Sequence, residues 1–286
     1  MTRLAFVPPG CTDCHTHIAL SRYPMTSPRA YTPADASAQD MRAMMDRTGI
    51  DRIVVVQMSV FGTDNSCMMD GVAELGSCAR AVVQLDGDTS AAELDELHRR
   101  GARGIRVNLN TTGLNSPDQA RERLSIAERL CARNGWHLQL FTSADVIAAL
   151  AEDLRNLTVP IVFDHFGLLP VLARDGAAEH AICDLLGRGT GWVKVSGTYR
   201  LDHPAETVAI AALARDLHAE NPANVVWGSD WPHAPHHANV AQENPAPQPY
   251  RDIDPSDMLA TIGAWFDAPA VRQAILVDNP ARLYGF

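Results

Sequence analysis

No apolar run in this 286-residue sequence approaches the roughly 18 residues that a membrane-spanning helix requires. The first 30 residues also lack a basic start followed by an apolar block, so the chain is expected to be cytoplasmic, with no membrane partner. Basic charge is scarce: 24 Lys and Arg stand against 34 Asp and Glu, a formal charge of −10. A nucleic-acid role is excluded on that ground, because it depends on clustered cations that neutralise phosphates. The only dense basic cluster, Arg99, Arg100 and Arg103, reads as a helix end and the strand after it. Cysteine is too sparse for a disulfide framework, so Cys11, Cys14, Cys67, Cys78, Cys131 and Cys183 are expected to be reduced packing residues. Cys11 and Cys14 have C-x-x-C spacing, but no second pair completes a zinc knuckle. Solenoid-length repeats and low-complexity linkers are missing too, leaving one domain over residues 1–286.

What the sequence does contain is a regular alternation of short β-rich runs and amphipathic helical stripes. Eight strands are expected: Thr12 to His17, Arg52 to Met58, Arg80 to Leu85, Gly104 to Leu109, His137 to Phe141, Pro160 to His165, Trp192 to Ser196, and Val225 to Asp230. Several are apolar throughout, as in Ile53-Val54-Val55-Val56, which suits parallel strands buried on both faces. Ser90 and Glu93 form a capping-box pattern that starts a helix ending near Gly101. A helical stripe fills Pro117 to Asn134, and Gly135 suits the position after its end. Further stripes run through Ser143 to Leu154, Ala205 to Ala219 and Pro269 to Val277. Eight strand–helix units predict a single-domain α/β fold, the (β/α)8 TIM barrel, with its site at the C-terminal strand ends. An open doubly wound sheet is the alternative, but no G-x-G-x-x-G follows the first strand. Long loops follow the first strand (Ala19 to Ala34) and the eighth (Trp231 to Asp254), where a substrate cover belongs.

Polar residues at the strand ends are therefore the candidates for chemistry. Asp13-Cys14-His15-Thr16-His17 ends the first strand, and residues two apart on a strand share a face, so His15 and His17 can present imidazoles to one ion or one substrate oxygen. Asp230, in Trp227-Gly228-Ser229-Asp230-Trp231-Pro232-His233, is a costly charge at the end of a buried run unless it has a cation, a donor or a reaction to serve. The sixth strand ends in the same way, in Asp164-His165-Phe166-Gly167.

These three motifs together resemble the amidohydrolase superfamily in its amidohydrolase-related branch. Three further segments resemble the 2-pyrone-4,6-dicarboxylate lactonase group more narrowly: Phe61-Gly62-Thr63-Asp64-Asn65-Ser66, Arg103-Gly104-Ile105-Arg106-Val107-Asn108, and the ending from Val277 to Tyr284. The resemblance implies a hydrolase that opens a carboxylated lactone. Asp230 would be the general base, His15, His17 and His165 would surround the carbonyl, and Arg106 and Arg200 would hold substrate carboxylate, with Thr63, Asp64, Ser66 and His233 nearby. Physically, a guanidinium offers a carboxylate a bidentate fork, and ring opening needs a base, a polariser and an anchor.

Two departures from the pattern matter. The fourth strand ends without the lysine or glutamate that helps hold two metals in many superfamily members, and His137 is at the wrong end of the fifth. One divalent ion, most naturally zinc, on His15, His17 and Asp230 remains open, as does direct action of the histidines without any metal. The second departure is the lack of a further basic residue after Arg106, where Asn108, Asn110, Thr111 and Thr112 stand instead. This suits a lactone with one carboxylate, or one bearing hydroxyls, such as a sugar-acid lactone or a ring-cleavage product of aromatic breakdown. Two rival readings are a metal-dependent decarboxylase of the same superfamily and a non-catalytic barrel that binds an anionic metabolite.

Overall fold

The computed structural model describes residues 4–111, 116–235 and 242–286. Eight parallel strands pair in chain order: β1 (Thr12–Thr16), β2 (Arg52–Val56), β3 (Ala79–Val83), β4 (Ala102–Asn108), β5 (His137–Phe141), β6 (Ile161–Phe163), β7 (Gly191–Ser196) and β8 (Val225–Gly228). All eight expected strands are present. Those ending in His165 and Asp230 stop early at the mouth, because the chain turns out of the ladder there; His165 has φ 51° and Asp230 φ 65°. β8 returns beside β1 and nearly closes the barrel. The Asp230 N–H donates to the His15 carbonyl, and the His17 N–H to the Trp231 carbonyl, each at 2.8 Å. Below them, Asp13 Oδ1 accepts from the N–H groups of Ser229 (2.9 Å) and His15 (3.1 Å), joining the two strands through a carboxyl that burial pushes up to about 7.

Helices cover the barrel. The capping box of Ser90 and Glu93 forms as expected, and the Pro117–Asn134 helix ends on Gly135 with left-handed backbone. Two expected helices are interrupted. The stripe from Ser143 breaks at fully buried Leu150 into Ala144–Ala149 and Ala151–Arg155, and the one from Pro269 passes at Gln273 into a π-turn over Ala274–Asp278, where Ile275 and Leu276 are fully buried. In both, anchoring of apolar side chains outweighs regular helical hydrogen bonding. No described helix is long and apolar enough to cross a membrane.

The core has two shells. An outer one between barrel and helices includes Cys11, Met41, Leu124 and Ile262; an inner one within the barrel is made of Cys14, Val54, Val56, Val82, Val162, Trp192, Val226 and Tyr284. His137, at the entry of β5, packs edge-on against Tyr284 at 5.2 Å, and burial pushes its pKa down from 6.5 to about 3. Because its folded pKa is depressed, its contribution to stability is complete above about pH 6.5 and is lost as pH falls toward 3. Replacing it by leucine should therefore lessen the drop in melting temperature between pH 7.5 and pH 5. An identical drop in parent and variant would show that His137 is not an acid-sensitive point of the fold.

The two long mouth loops are tied together. Thr32–Pro33 pairs with Pro247–Gln248, and the Arg29 N–H donates to the Gln242 carbonyl at 3.0 Å. Of the remaining histidines, His236 and His237 lie outside the described residues.

Candidate active site

The site sits on the seam between β1 and β8. Gly228 permits the close approach: a Cβ there would stand 2.6 Å from the His15 Cβ and 2.8 Å from its backbone nitrogen. The hydrogen-bond register of β1 on β2 shifts between Asp13 and Thr16, so Cys14 joins the inner apolar cluster while His15 and His17 face Asp230. Gly228→Ala should thus displace His15 directly, lowering kcat roughly 10²-fold. Parallel measurement of melting temperature and kcat tests this, and an alanine variant with parental kcat would show that the seam does not set the geometry.

Three imidazoles surround the Asp230 carboxylate. His17 Nδ1 lies 2.8 Å from the Val56 carbonyl, which can only accept, so the hydrogen is on Nδ1. His15 Nδ1 lies 3.1 Å from Asp164 Oδ1, a carboxylate held ionised by the Lys194 ammonium beside it and therefore an acceptor, and this contact, shorter than the 3.4 Å to Lys194 Nζ, places the hydrogen on Nδ1. The neutral rings of His17 and His15 accordingly turn bare Nε2 lone pairs toward Asp230 Oδ1, at 3.3 and 3.6 Å. His165 differs: its Nδ1 is 2.9 Å from the Ser196 hydroxyl, which can donate or accept, and its Nε2 is 4.0 Å from Asp230 Oδ2. That second carboxylate oxygen accepts from Arg200 Nε and the Tyr199 hydroxyl, both at 2.5 Å.

Burial works against ionisation of Asp230, but the Arg200 guanidinium, the largest of the opposing influences, helps hold the carboxyl well below the usual carboxylate range. Burial likewise pushes the imidazoles down, His15 well below its ordinary value and His165 to about 4. Neutral rings facing an ionised carboxylate put several acceptors around one point. A water donating both hydrogens, or a cation, satisfies that arrangement.

The donor set fits one divalent ion. Among the described residues, His15 Nε2, His165 Nε2 and Asp230 Oδ1 are buried without a protein hydrogen-bond partner, and ligand atoms of these three residues lie within 4.8 Å of one another. His165 thus takes the place expected for His17, whose ring stands at 79° to His15 because the Val56 carbonyl holds it. His137 is at the opposite end of β5.

Arg106 and Arg200 flank Phe141, each guanidinium carbon 5.7 Å from its ring centroid, and both line a small cleft with His17, Tyr31, Asn108 and Thr111. Arg106 is buried and donates to the Gln57 carbonyl at 2.7 Å. Arg200, expected to face substrate, also grips Asp230. His233 is buried, edge-on to Tyr199 at 6.0 Å, and burial pushes it down to about 4. Thr63, Asp64 and Ser66 lie elsewhere. They are exposed in a separate groove of about 490 Å³, where the Thr63 hydroxyl bonds Asp86, because buried Asn65 turns inward between them to Gln84.

Three groups escaped the sequence reading: Tyr199, Gln139 and Lys194. The last is the only lysine in the chain and is fully buried inside the barrel. A solitary lysine in the apolar run Trp192 to Ser196 was the signal available.

Known proteins bear out the resemblance. The amidohydrolase family profile matches residues 12–286. A 4-sulfomuconolactone hydrolase of Hydrogenophaga intermedia is 32% identical over 99% of this chain and 91% of its own. A 2-pyrone-4,6-dicarboxylate hydrolase of Comamonas testosteroni is 32% identical over 97% and 91%. Among solved structures, a probable 2-pyrone-4,6-dicarboxylic acid hydrolase from Acinetobacter baumannii with citric acid bound superposes with a TM-score of 0.78 at 25% identity, covering 97% of this chain and 100% of the other. With a buried His–Asp seam at the mouth of an eight-stranded barrel and a family match from the first strand to the last residue, this chain belongs to the amidohydrolase family.

Proposed function

We infer that the protein is a hydrolase that opens a carboxylated lactone with water activated by Asp230. The observation that carries this reading is the convergence of His15, His17 and His165 on one buried, ionised carboxylate beside buried Arg106 and part-buried Arg200. The named relatives support it, being hydrolases of a lactone and of a pyrone dicarboxylate, and the Acinetobacter neighbour binds a polycarboxylic acid.

Substrate carboxylate docks at Arg106 and Arg200 in the cytoplasmic enzyme, while Asn108 and Thr111 offer neutral contacts to a hydroxyl or a second oxygen. Water between Asp230 Oδ1 and His17 Nε2 gives one proton to Asp230 and directs its other hydrogen to the bare nitrogen. Its oxygen adds to the lactone carbonyl, and the ring C–O bond then breaks. The proton held on Asp230 passes to the departing oxygen. Of the three imidazoles, His165 is the one whose partners leave its hydrogen free to sit on Nε2, where it can donate to the carbonyl oxygen as charge develops. A divalent ion, zinc by the donor set, would be held by His15, His165 and Asp230, taking the place of the hydrogen on His165 Nε2, and would itself supply the polarisation of the carbonyl.

The deciding experiment is a panel of carboxylated and neutral lactones assayed by proton release, with and without a chelator. Turnover confined to the carboxylated lactones is expected. No lactone opening, together with chelator-sensitive release of carbon dioxide from carboxylated aromatics, would assign the site to a decarboxylase instead.

A further inference from the structure

Inside the barrel, directly beneath His15, lies a polar layer that no step of the reaction uses. Lys194 on β7 shares its face with Trp192 and Ser196, and its ammonium has no route to solvent. It donates to Gln139 Oε1 at 2.6 Å and lies 3.4 Å from Asp164 Oδ1 and from His15 Nδ1. Gln139 Nε2 in turn donates to Asp164 Oδ2 at 3.0 Å, and Asp164 Oδ1 receives His15 Nδ1 at 3.1 Å. Arg106 Nε stands 3.9 Å from Asp164.

An apolar residue of similar volume would fill this space at lower desolvation cost, so packing alone does not explain an ammonium here. Its hydrogen-bonding chemistry does. An ammonium only donates, so its contact with Gln139 fixes which end of that amide carries the oxygen. The amide nitrogen is thereby turned to Asp164 Oδ2, and the second carboxylate oxygen is left facing His15 Nδ1. Three strands, β5, β7 and β1, and the end of β6 are connected through this chain of contacts.

We propose that Lys194 is a positioning residue which, acting through Gln139 and Asp164, holds His15 in its Nδ1–H tautomer with Nε2 aimed at Asp230. This rests on the reading of His15 as a site residue. Substrate is bound by Arg106 and Arg200, so the positioning affects the chemical step more than binding.

The test compares parent, Lys194→Met and Gln139→Met after histidine-selective 15N labelling, with His15 assigned by its loss in His15→Gln. Long-range 1H–15N correlation reads the tautomer without any substrate, so the outcome is separate from whether lactones are opened. The parent should show protonated Nδ1 and bare Nε2, and both methionine variants a mixture of tautomers. On a lactone that the parent opens, kcat should fall roughly 10- to 100-fold with KM within about threefold, as for other residues that orient a site group. If Lys194→Met does not fold, Gln139→Met decides alone, since it breaks the same link without removing a charge. A parent in the Nε2–H form, or folded variants that keep a pure Nδ1–H ring, would overturn the proposal.

Discussion

Asp230→Asn should lower kcat for lactone opening by about 10²- to 10⁴-fold, the range expected for a lost general base, while the barrel stays folded. The second half of that expectation follows from the partners. The amide oxygen can keep the bonds from Arg200 and Tyr199 that the carboxylate accepts through Oδ2. The amide nitrogen then takes the place of Oδ1, facing the Nε2 lone pairs of His17 and His15 at 3.3 and 3.6 Å. Those nitrogens accept, so the new donors have partners waiting. Melting temperature and circular dichroism should accordingly stay near parental values while turnover collapses. Folded, pure Asp230→Asn with near-parental rates would remove Asp230 from the mechanism.

Arg200→Met should have the next largest effect, through two routes. Losing one member of a buried hydrogen-bonded charge pair costs about 2–5 kcal/mol, equivalent to a fall in kcat/KM of roughly 30-fold to several thousand-fold. The variant should also change the pH dependence. In the parent, Arg200 is the largest of the influences that hold the Asp230 carboxyl low, against the opposing effect of burial. Without it, burial meets less opposition, the carboxyl pKa rises, and more of the base is protonated at acidic pH. The acidic limb of the kcat profile should therefore move to higher pH, and the variant should lose more activity between pH 8 and pH 5 than the parent does. Profiles that remain parallel would mean that Arg200 only anchors substrate.

The parts of this protein legible in its sequence are those set by local pattern. Strands such as Ile53 to Val56 announce themselves because both faces are buried, and Gly135 marks a helix end because its backbone is left-handed. The pair His15 and His17 and the lone Asp230 stand out because strand ends at a barrel mouth give polar residues a place to act. Contacts between distant strands are not written locally. That His17 carries its hydrogen on Nδ1 depends on the Val56 carbonyl, and that Arg200 grips Asp230 depends on how β7 and β8 exit the barrel. The outward turn of Thr63, Asp64 and Ser66 was equally hidden, since it follows from the inward anchoring of Asn65 on Gln84.

The placement of Lys194 also makes the chain its own unfolding reporter. As the only lysine, and one sealed within the barrel, it is the sole side-chain amine that an acylating reagent could modify. Acylation of that residue therefore requires the strands to part, so its rate measures opening of the barrel core and is insensitive to motion in the mouth loops. An acylated peptide left uncut by trypsin at residue 194 would distinguish molecules that have opened from those that have not. Ligands that bind only the closed barrel should slow its appearance by a factor of one plus the ratio of free ligand concentration to Kd.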